Sequence, residues 1–172
     1  MSTQIMLVKL KKTESGFSML ELIIVLSIAA ILFGIATPVF LQWQRSVVYR
    51  TTVQDIVSAL RDARSRSISN NLQHRVEFAP AGISNQYQLQ YGDRAANSTN
   101  WTAADGYLDY KKVAAVTSLV SSNTTSNAIV FNPNGSANLA ALATSATVTI
   151  RDADGNDRYA VEVTTAGRIR IK

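Results

Sequence analysis

The sequence predicts an α+β protein in which a long N-terminal α-helix packs on a C-terminal antiparallel β-sheet domain. Two observations predict this fold. A uniformly apolar run and then an amphipathic run occupy residues 17–71, and short alternating segments separated by turn residues occupy most of the remainder. With 172 residues, the chain has room for one modest globular domain in addition to this helix.

Composition limits the classes of function. Apolar residues make up 47% of the chain, and the formal net charge is +5. Removing residues 1–16 takes away Lys9, Lys11, Lys12 and Glu14, which reduces 17 basic and 12 acidic side chains to 14 and 11. This small excess does not by itself indicate nucleic-acid binding. The chain has no cysteine, which excludes thiol catalysis, cysteine-based zinc sites and disulfides.

Residues 17–40 predict a membrane-spanning helix. As a helix these residues would extend about 36 Å, enough to cross a hydrocarbon core of about 30 Å. The preceding lysines would remain in the cytoplasm and place the C-terminal domain on the outer side of the membrane, although Arg45 and Arg50 follow the span closely. An ordinary secretory signal has a shorter apolar run and a cleavage site after it. A plain signal anchor is the alternative.

Glu21 is the only charged residue of this span. A carboxylate inside a bilayer costs a few kcal/mol and is rarely kept without a partner. Cleavage between Gly16 and Phe17 would create a free amine four residues before Glu21. In a bundle of similar helices, this amine can neutralise the carboxylate of a neighbouring subunit. The alternative places Glu21 at the headgroup level of the membrane, where it is solvated.

The stretch from Lys11 to Glu21 resembles the prepilin peptidase motif of type IV pilins and type II secretion pseudopilins. Gly16, Phe17 and Glu21 have the offsets of that motif, directly on an apolar span. The resemblance implies that prepilin peptidase removes the leader, residues 1–16, and that Phe17 is then methylated. It also implies that Glu21 guides assembly with other major and minor pilins. The protein would be a single-pass inner-membrane protein of bacteria that later enters a pilus or pseudopilus.

An amphipathic stalk helix is predicted at residues 41–71. Its apolar and small residues recur at three- and four-residue spacing and are expected to pack on the globular domain: Val53, Ile56, Val57, Leu60, Ala63, Ser67 and Ile68. Both helical parts would form one helix from Phe17 to Asn70, which ends with Asn71 as a left-handed cap. Pro38 stands where the pilin family often carries a helix-kinking proline, so a kink or local melting is expected there.

Arg61, Arg64 and Arg66 lie on the polar side of this helix. They are interpreted as a solvated face because acids are interleaved with them, and a basic patch is the alternative. The stretch 59–68 resembles the helix-to-first-strand signature of the GspH/FimT (FimU-like) pseudopilin family, most of whose members have Ala at the position of Ser67.

Residues 72–172 predict a periplasmic β-rich domain. Strands are expected where alternating residues are bounded by turn signals: 75–78, 87–91, 128–131, 147–150, 159–163 and 168–172. Turns are expected at 132–135 and 152–157, the second of which would form a hairpin. Residues 92–106 and 118–127 are expected to be loops.

The sequence contains no recognisable catalytic site, cofactor site or metal site, so the protein is not expected to be an enzyme. His74 is the only histidine and is interpreted as a surface or turn residue, because no pattern of acids or serines accompanies it. The Asp, Asn and Gly residues at 152–157 are those expected in a turn. A calcium loop, which some pseudopilins have, is the alternative, but the EF-hand register is absent.

The C-terminal strand gives a candidate DNA-binding surface. Alternation places Arg168, Arg170 and Lys172 on one face, with the two isoleucines between them directed to the core. The preceding hairpin adds Arg151 and Arg158 to the outward side. Such a stripe can contact the phosphate backbone of double-stranded DNA without sequence preference. The alternative is a charged edge strand whose cations pair with nearby acids.

Two C-terminal segments extend the family resemblance. The turn at 131–135 and the segment 166–170 resemble the GspH/FimT family, and Gly167 to Arg170 resembles the Gly-Arg-x-Arg motif of DNA-binding minor pilins. The predicted function is a minor pilin at or near the filament tip that supports the initiation of assembly. The alternatives are a DNA-uptake receptor on the same scaffold and a minor pseudopilin of type II secretion.

Overall fold

A computed structural model describes residues 18–79, 83–113 and 118–172. The leader, Gly16 and Phe17 therefore lie outside the described residues. Within the described part there are one α-helix, α1 (Met19–Asn70), and ten β-strands. The strands are β1 (His74–Phe78), β2 (Gln86–Gly92), β3 (Trp101–Ala103), β4 (Lys111–Lys112), β5 (Ser118–Ser122), β6 (Ala128–Phe131), β7 (Ala137–Asn138), β8 (Ser145–Arg151), β9 (Asp157–Thr164) and β10 (Ile169–Ile171).

Helix α1 contains both of the predicted helical parts. It ends at Asn70, and Asn71 has a φ of 52°, which confirms the left-handed cap predicted from the sequence. The helix continues through position 38 without the interruption that local melting would produce. The side chain of Pro38 lies outside the described part of the chain.

The chain divides into two compact units, one that ends at Trp43 and one that begins at Gln44. In the first unit, the stretch Met19–Thr37 is long and apolar enough to cross a membrane by length and composition, and none of it is buried. In the second unit, the helix forms part of a globular α+β structure.

The described part of the second unit contains two antiparallel sheets, whereas the sequence predicts one. The larger sheet has the order β3–β2–β1–β6–β7, with β4 also paired to β2, and the smaller sheet has the order β10–β9–β8–β5. In the larger sheet β6 pairs with β1 and β7, whereas in the smaller sheet β8 pairs with β5 and β9. The two sheets are therefore separate because β6 and β8 do not pair with each other. Strand β3 lies inside the predicted loop 92–106, and strand β5 lies inside the predicted loop 118–127. Alternation identifies strands but does not determine which strands pair.

One hydrophobic core joins the helix to both sheets. The predicted stripe of α1 is buried from Val53 to Ser67, which confirms that it packs on the globular domain. It shares a cluster with Phe78 and Phe131 of the larger sheet, and with residues of the smaller sheet that include Val148 and Val161. Ile68, the last member of the predicted stripe, is instead 53% exposed.

Candidate functional sites

The first part of α1 presents its apolar side chains to the exterior. Glu21 lies in the first turn of the helix and is exposed. It is the only charged residue in Met19–Thr37, and it forms no hydrogen bond or ion pair with any residue that the structure describes. The first part of α1 therefore carries one carboxylate, without a partner among the described residues, on a surface that is otherwise uncharged.

The register of the smaller sheet determines where the C-terminal cations lie. Arg170 on β10 is directly opposite Glu162 on β9. Because Val161 and Val163 of β9 are fully buried, the residues that alternate with them face away from the core. Arg170 and Glu162 therefore share the outer face of the sheet.

Acids of the same sheet and its hairpin turn neutralise three of the five predicted cations. Arg151 pairs with Asp157, Arg158 with Asp152 and Lys172 with Glu162, at nitrogen–oxygen distances of 2.5, 2.7 and 3.1 Å. The hydrogen bond from Lys172 is the main cause that lowers the pKa of Glu162. These three cations add little net positive charge to the surface.

Arg168 and Arg170 differ from these three cations. Both are exposed, and neither forms an ion pair with a described residue.

Of the two isoleucines predicted to face the core, Ile169 is half-buried and packs against it, but Ile171 is 52% exposed. The core ends before Ile171 because β10 is a three-residue edge strand that, among the described strands, pairs only with β9.

Gly167 determines the position of Arg168. Its φ is 75°, and a Cβ at this position would collide with the carbonyl oxygen of Gly135 in the turn after β6. Arg64 of the helix donates its Nε–H to the same carbonyl oxygen at 3.0 Å. The glycine therefore allows two turns and a helix side chain to pack closely.

This packing places two helix arginines beside Arg168. An open cleft of about 610 Å³ is lined by Arg61, Arg64, Ser65, Ile68, Ala166, Arg168 and Ile169. The sequence interpretation placed Arg61 and Arg64 on a solvated face and did not connect them with Arg168. Their three-residue spacing shows that they share a helix face. No sequence signal shows that this face meets the turn before β10.

The acidic turn between β8 and β9 is organised by hydrogen bonds. The Asp152 carboxylate accepts the backbone N–H groups of Asp154 and Asn156 at 3.0 and 2.8 Å, and Arg158 Nε donates to it at 2.8 Å. The N–H of Asn156 is the main cause that lowers the pKa of Asp152. The described residues include no group of three or more His, Cys, Asp or Glu placed to hold a metal ion.

His74 is buried, which corrects its interpretation as a surface or turn residue. It is 2% exposed, and its Nδ1 lies 3.1 Å from the carbonyl oxygen of Leu72. His74, Val76 and Phe78 alternate inward along β1, so the histidine is the first inward residue of the strand. Burial lowers its pKa, which favours the neutral imidazole.

Comparisons with known proteins support both parts of the resemblance. The family model described as type II transport protein GspH matches residues 52–167. The model of the prokaryotic N-terminal methylation motif matches residues 11–37. No curated protein sequence matches the chain.

Three solved structures have a similar fold. The type IV minor pilin FimU of Pseudomonas aeruginosa is 13% identical, with a TM-score of 0.51 over 72% of this chain and 91% of that chain. The minor pseudopilin EpsH from the type 2 secretion system of Vibrio cholerae is 10% identical, with a TM-score of 0.52 over 72% and 94%. GspH of E. coli is 11% identical, with a TM-score of 0.56 over 74% and 89%.

At these identities, the structural similarity shows the fold alone, and it confirms the predicted α+β pilin fold. The GspH match covers most of the globular unit, and the methylation motif covers the predicted processing site and much of the apolar helix. The chain therefore belongs to the GspH family of minor pilins and pseudopilins, which are structural subunits and not known enzymes.

Proposed function

We propose that this chain is a minor subunit of a type IV pilus or a related pseudopilus that acts at or near the filament tip and supports the initiation of assembly. The observation that carries this proposal is the surface of Met19–Thr37, which is apolar, exposed and charged only at Glu21. Such a surface is stable in lipid or against other apolar helices, and it is unfavourable in water. The globular unit has a complete core without it.

The proposed sequence of events uses these features in order. The chain first lies in the inner membrane with its globular unit in the periplasm, and prepilin peptidase cleaves between Gly16 and Phe17. The new amine of Phe17, which is then methylated, pairs with Glu21 of a neighbouring subunit, because an unpaired carboxylate in an apolar bundle is costly. Pro38 lies at the end of the apolar part of the helix, where a change in helix geometry would help the subunit leave the membrane and enter the filament.

Complementation of a strain that lacks this chain tests the proposal. The wild-type chain should restore filament number, and Glu21→Leu should be cleaved normally but fail to restore filaments. Asp55→Asn is the matched control, because Asp55 is an exposed acid of the same helix outside the apolar part. Filaments are sheared and quantified by immunoblot. Full restoration by Glu21→Leu contradicts the assembly mechanism.

The tip position needs its own measurement. Gold-labelled antibodies against the globular unit should mark one end of each filament, and labelling along the whole filament would refute a tip subunit.

Loss of surface pili in the deletion strain assigns the chain to a pilus, whereas loss of exported proteins assigns it to type II secretion. The genes beside this one give the same distinction.

A DNA-binding minor pilin is the second candidate function. The observation that favours it is the exposure of Arg168 and Arg170, which form no ion pair with described residues, on a segment that resembles the Gly-Arg-x-Arg motif. Each phosphate contact to these arginines would add a salt-dependent increment of affinity through counterion release. This candidate is compatible with a tip subunit, because an exposed tip can also hold DNA.

A titration of the full chain in neutral detergent with a short fluorescent duplex tests this candidate. Binding should weaken as salt rises, and the Arg168→Gln/Arg170→Gln variant should lose most of it. Arg45→Gln/Arg50→Gln is the matched control, because both are exposed helix arginines outside the candidate surface. An equal loss in the two double variants would mean that only net charge matters, which would refute a specific DNA-binding surface.

A further inference from the structure

We infer that the cleft between the second part of α1 and the turn before β10 binds phosphate groups of a polynucleotide backbone. This arginine cleft consists of Arg61, Arg64, Ser65, Ile68, Ala166, Arg168 and Ile169. The inference rests on the DNA-binding candidate function and extends its surface from the C-terminal strand to the helix.

Three arginines from two parts of the chain line this cleft. Arg61 and Arg64 come from the helix, and Arg168 comes from the turn before β10. The volume of about 610 Å³ is within the range of about 300–1,000 Å³ that is typical of ligand sites. The cleft is open to solvent, so it can admit one segment of an extended polymer.

The charges in the arginine cleft are not compensated within the described part of the chain. Six other cations form ion pairs with acids: Arg66, Arg75, Arg94, Arg151, Arg158 and Lys172. Among the described residues, Arg61, Arg64 and Arg168 have no such acidic partner, and none of those that line the cleft is acidic. Like charges held beside one another are unfavourable, and a bound anion would relieve this repulsion.

Arg64 is held in place before any ligand arrives. Its Nε–H donates to the Gly135 carbonyl oxygen at 3.0 Å, and a Cβ at Gly167 would lie 3.0 Å from the same nitrogen. The terminal nitrogens of Arg64 form no hydrogen bond with described residues, so they remain available as donors. A positioned guanidinium loses little freedom on binding and can donate two parallel hydrogen bonds to a phosphate.

The remaining lining fits the sugar of a nucleic acid. Ile68, Ala166 and Ile169 provide an apolar surface among the cations, and the exposed Ser65 adds a hydroxyl group. A sugar–phosphate backbone alternates anionic groups with less polar sugar rings, so it matches this combination. Arg170 lies two residues beyond Arg168 and is exposed, so the positive surface continues past the cleft as a polyanion requires.

The test measures duplex binding by the full chain in neutral detergent, with two variants of the helix side of the cleft. Arg61→Gln should weaken binding about tenfold at low salt and reduce the slope of log affinity against log salt by about one. Ser65→Glu introduces a carboxylate into the cleft and should abolish binding. Ser69→Glu and Arg94→Gln are controls outside the cleft with similar charge changes, and both should bind nearly as the wild type does. Circular dichroism confirms that every variant is folded.

The outcomes separate this inference from the function on which it rests. If Arg61→Gln and Ser65→Glu bind as the wild type while Arg168→Gln/Arg170→Gln does not, the cleft inference is wrong and the DNA-binding candidate stands. If the wild-type chain binds no duplex at low salt, both are wrong. If poly-L-glutamate or inorganic phosphate displaces the duplex at equal charge concentration, the cleft takes acidic peptides or free phosphate, and the inference is overturned.

Discussion

The apolar side chains of the two parts of α1 have opposite surroundings. From Met19 to Thr37 none of the helix is buried, whereas from Val53 to Ser67 one stripe is buried in the core that it shares with the two sheets. The apolar surface of the second part is satisfied inside the chain, and that of the first part requires lipid or other subunits. The comparison separates folding from assembly: changes in one part should alter stability, and changes in the other should alter incorporation.

The carboxylates of Asp152 and Glu21 also differ in whether their partners lie within the described part of the chain. Asp152 receives hydrogen bonds from two backbone N–H groups and from Arg158, all within the globular unit. Glu21 has no hydrogen-bond partner among the described residues. The first carboxylate stabilises the folded chain, and the second makes no such contact within the described part of the chain.

The largest expected effect on stability is that of truncating a buried leucine in the second part of the helix. Truncation of a leucine in the first part is the control. Leu60→Ala should lower the free energy of unfolding of the globular unit by about 2–5 kcal/mol, because Leu60 is fully buried. Leu26→Ala should leave this free energy unchanged, since Leu26 is 60% exposed. Urea unfolding of the full chain in neutral detergent, followed by tryptophan fluorescence, measures both. Equal losses would disprove the separation of folding from assembly.

The contact of the helix with the two turns should give the next largest effect. Gly167→Ala should destabilise the globular unit by about 1–3 kcal/mol, because alanine is strained at a φ of 75° and its Cβ meets the Gly135 carbonyl oxygen. Gly106→Ala is the matched control, since Gly106 has a φ of 84° but open space around it. If the two variants lose equal stability in urea unfolding, backbone strain alone accounts for the effect and the collision contributes nothing.

Ser67 should contribute less. Its hydroxyl lies 2.8 Å from the Arg64 carbonyl oxygen and 3.1 Å from that of Asn132, and Ser67→Ala should cost about 1 kcal/mol or less. The cost is small because the Asn132 carbonyl also accepts the Gly135 N–H at 2.8 Å. The exposed Ser69→Ala should have no effect in the same unfolding measurement. A loss above about 2 kcal/mol would mean that the Gly135 bond does not compensate.

The Asp152 carboxylate should make the stability of the globular unit depend on pH. Hydrogen bonding lowers the pKa of Asp152 in the folded chain, so its stabilising contribution is present above the ordinary value of about 3.9 and is lost as the pH falls through the lowered value. Asp152→Asn should therefore be less stable than the wild type at neutral pH, and the difference should shrink in acid. A pH-independent gap for Asp152→Asn would rule out the ionised carboxylate as its cause.

Most local features could be predicted from the sequence. The helix, its cap at Asn71, the buried stripe and the hairpin of β8 and β9 depend on residues close together in the chain, whose spacing reveals them. The wrong interpretations, which directed Ile171 to the core and placed His74 at the surface or in a turn, concern residues at the ends of strands. There the surroundings depend on which other segments lie beside the strand, and alternation alone does not specify these.

By itself, the sequence determined that an apolar helix with one acid precedes an amphipathic helix and a β-rich domain, because these elements follow from periodicity and turn residues. Only the tertiary structure decided which cations are paired and that Arg61 and Arg64 share a cleft with Arg168. The physical reason is distance along the chain. The hydrogen bond between Arg64 and Gly135 joins residues 71 positions apart, and packing of the whole core is required to bring them together.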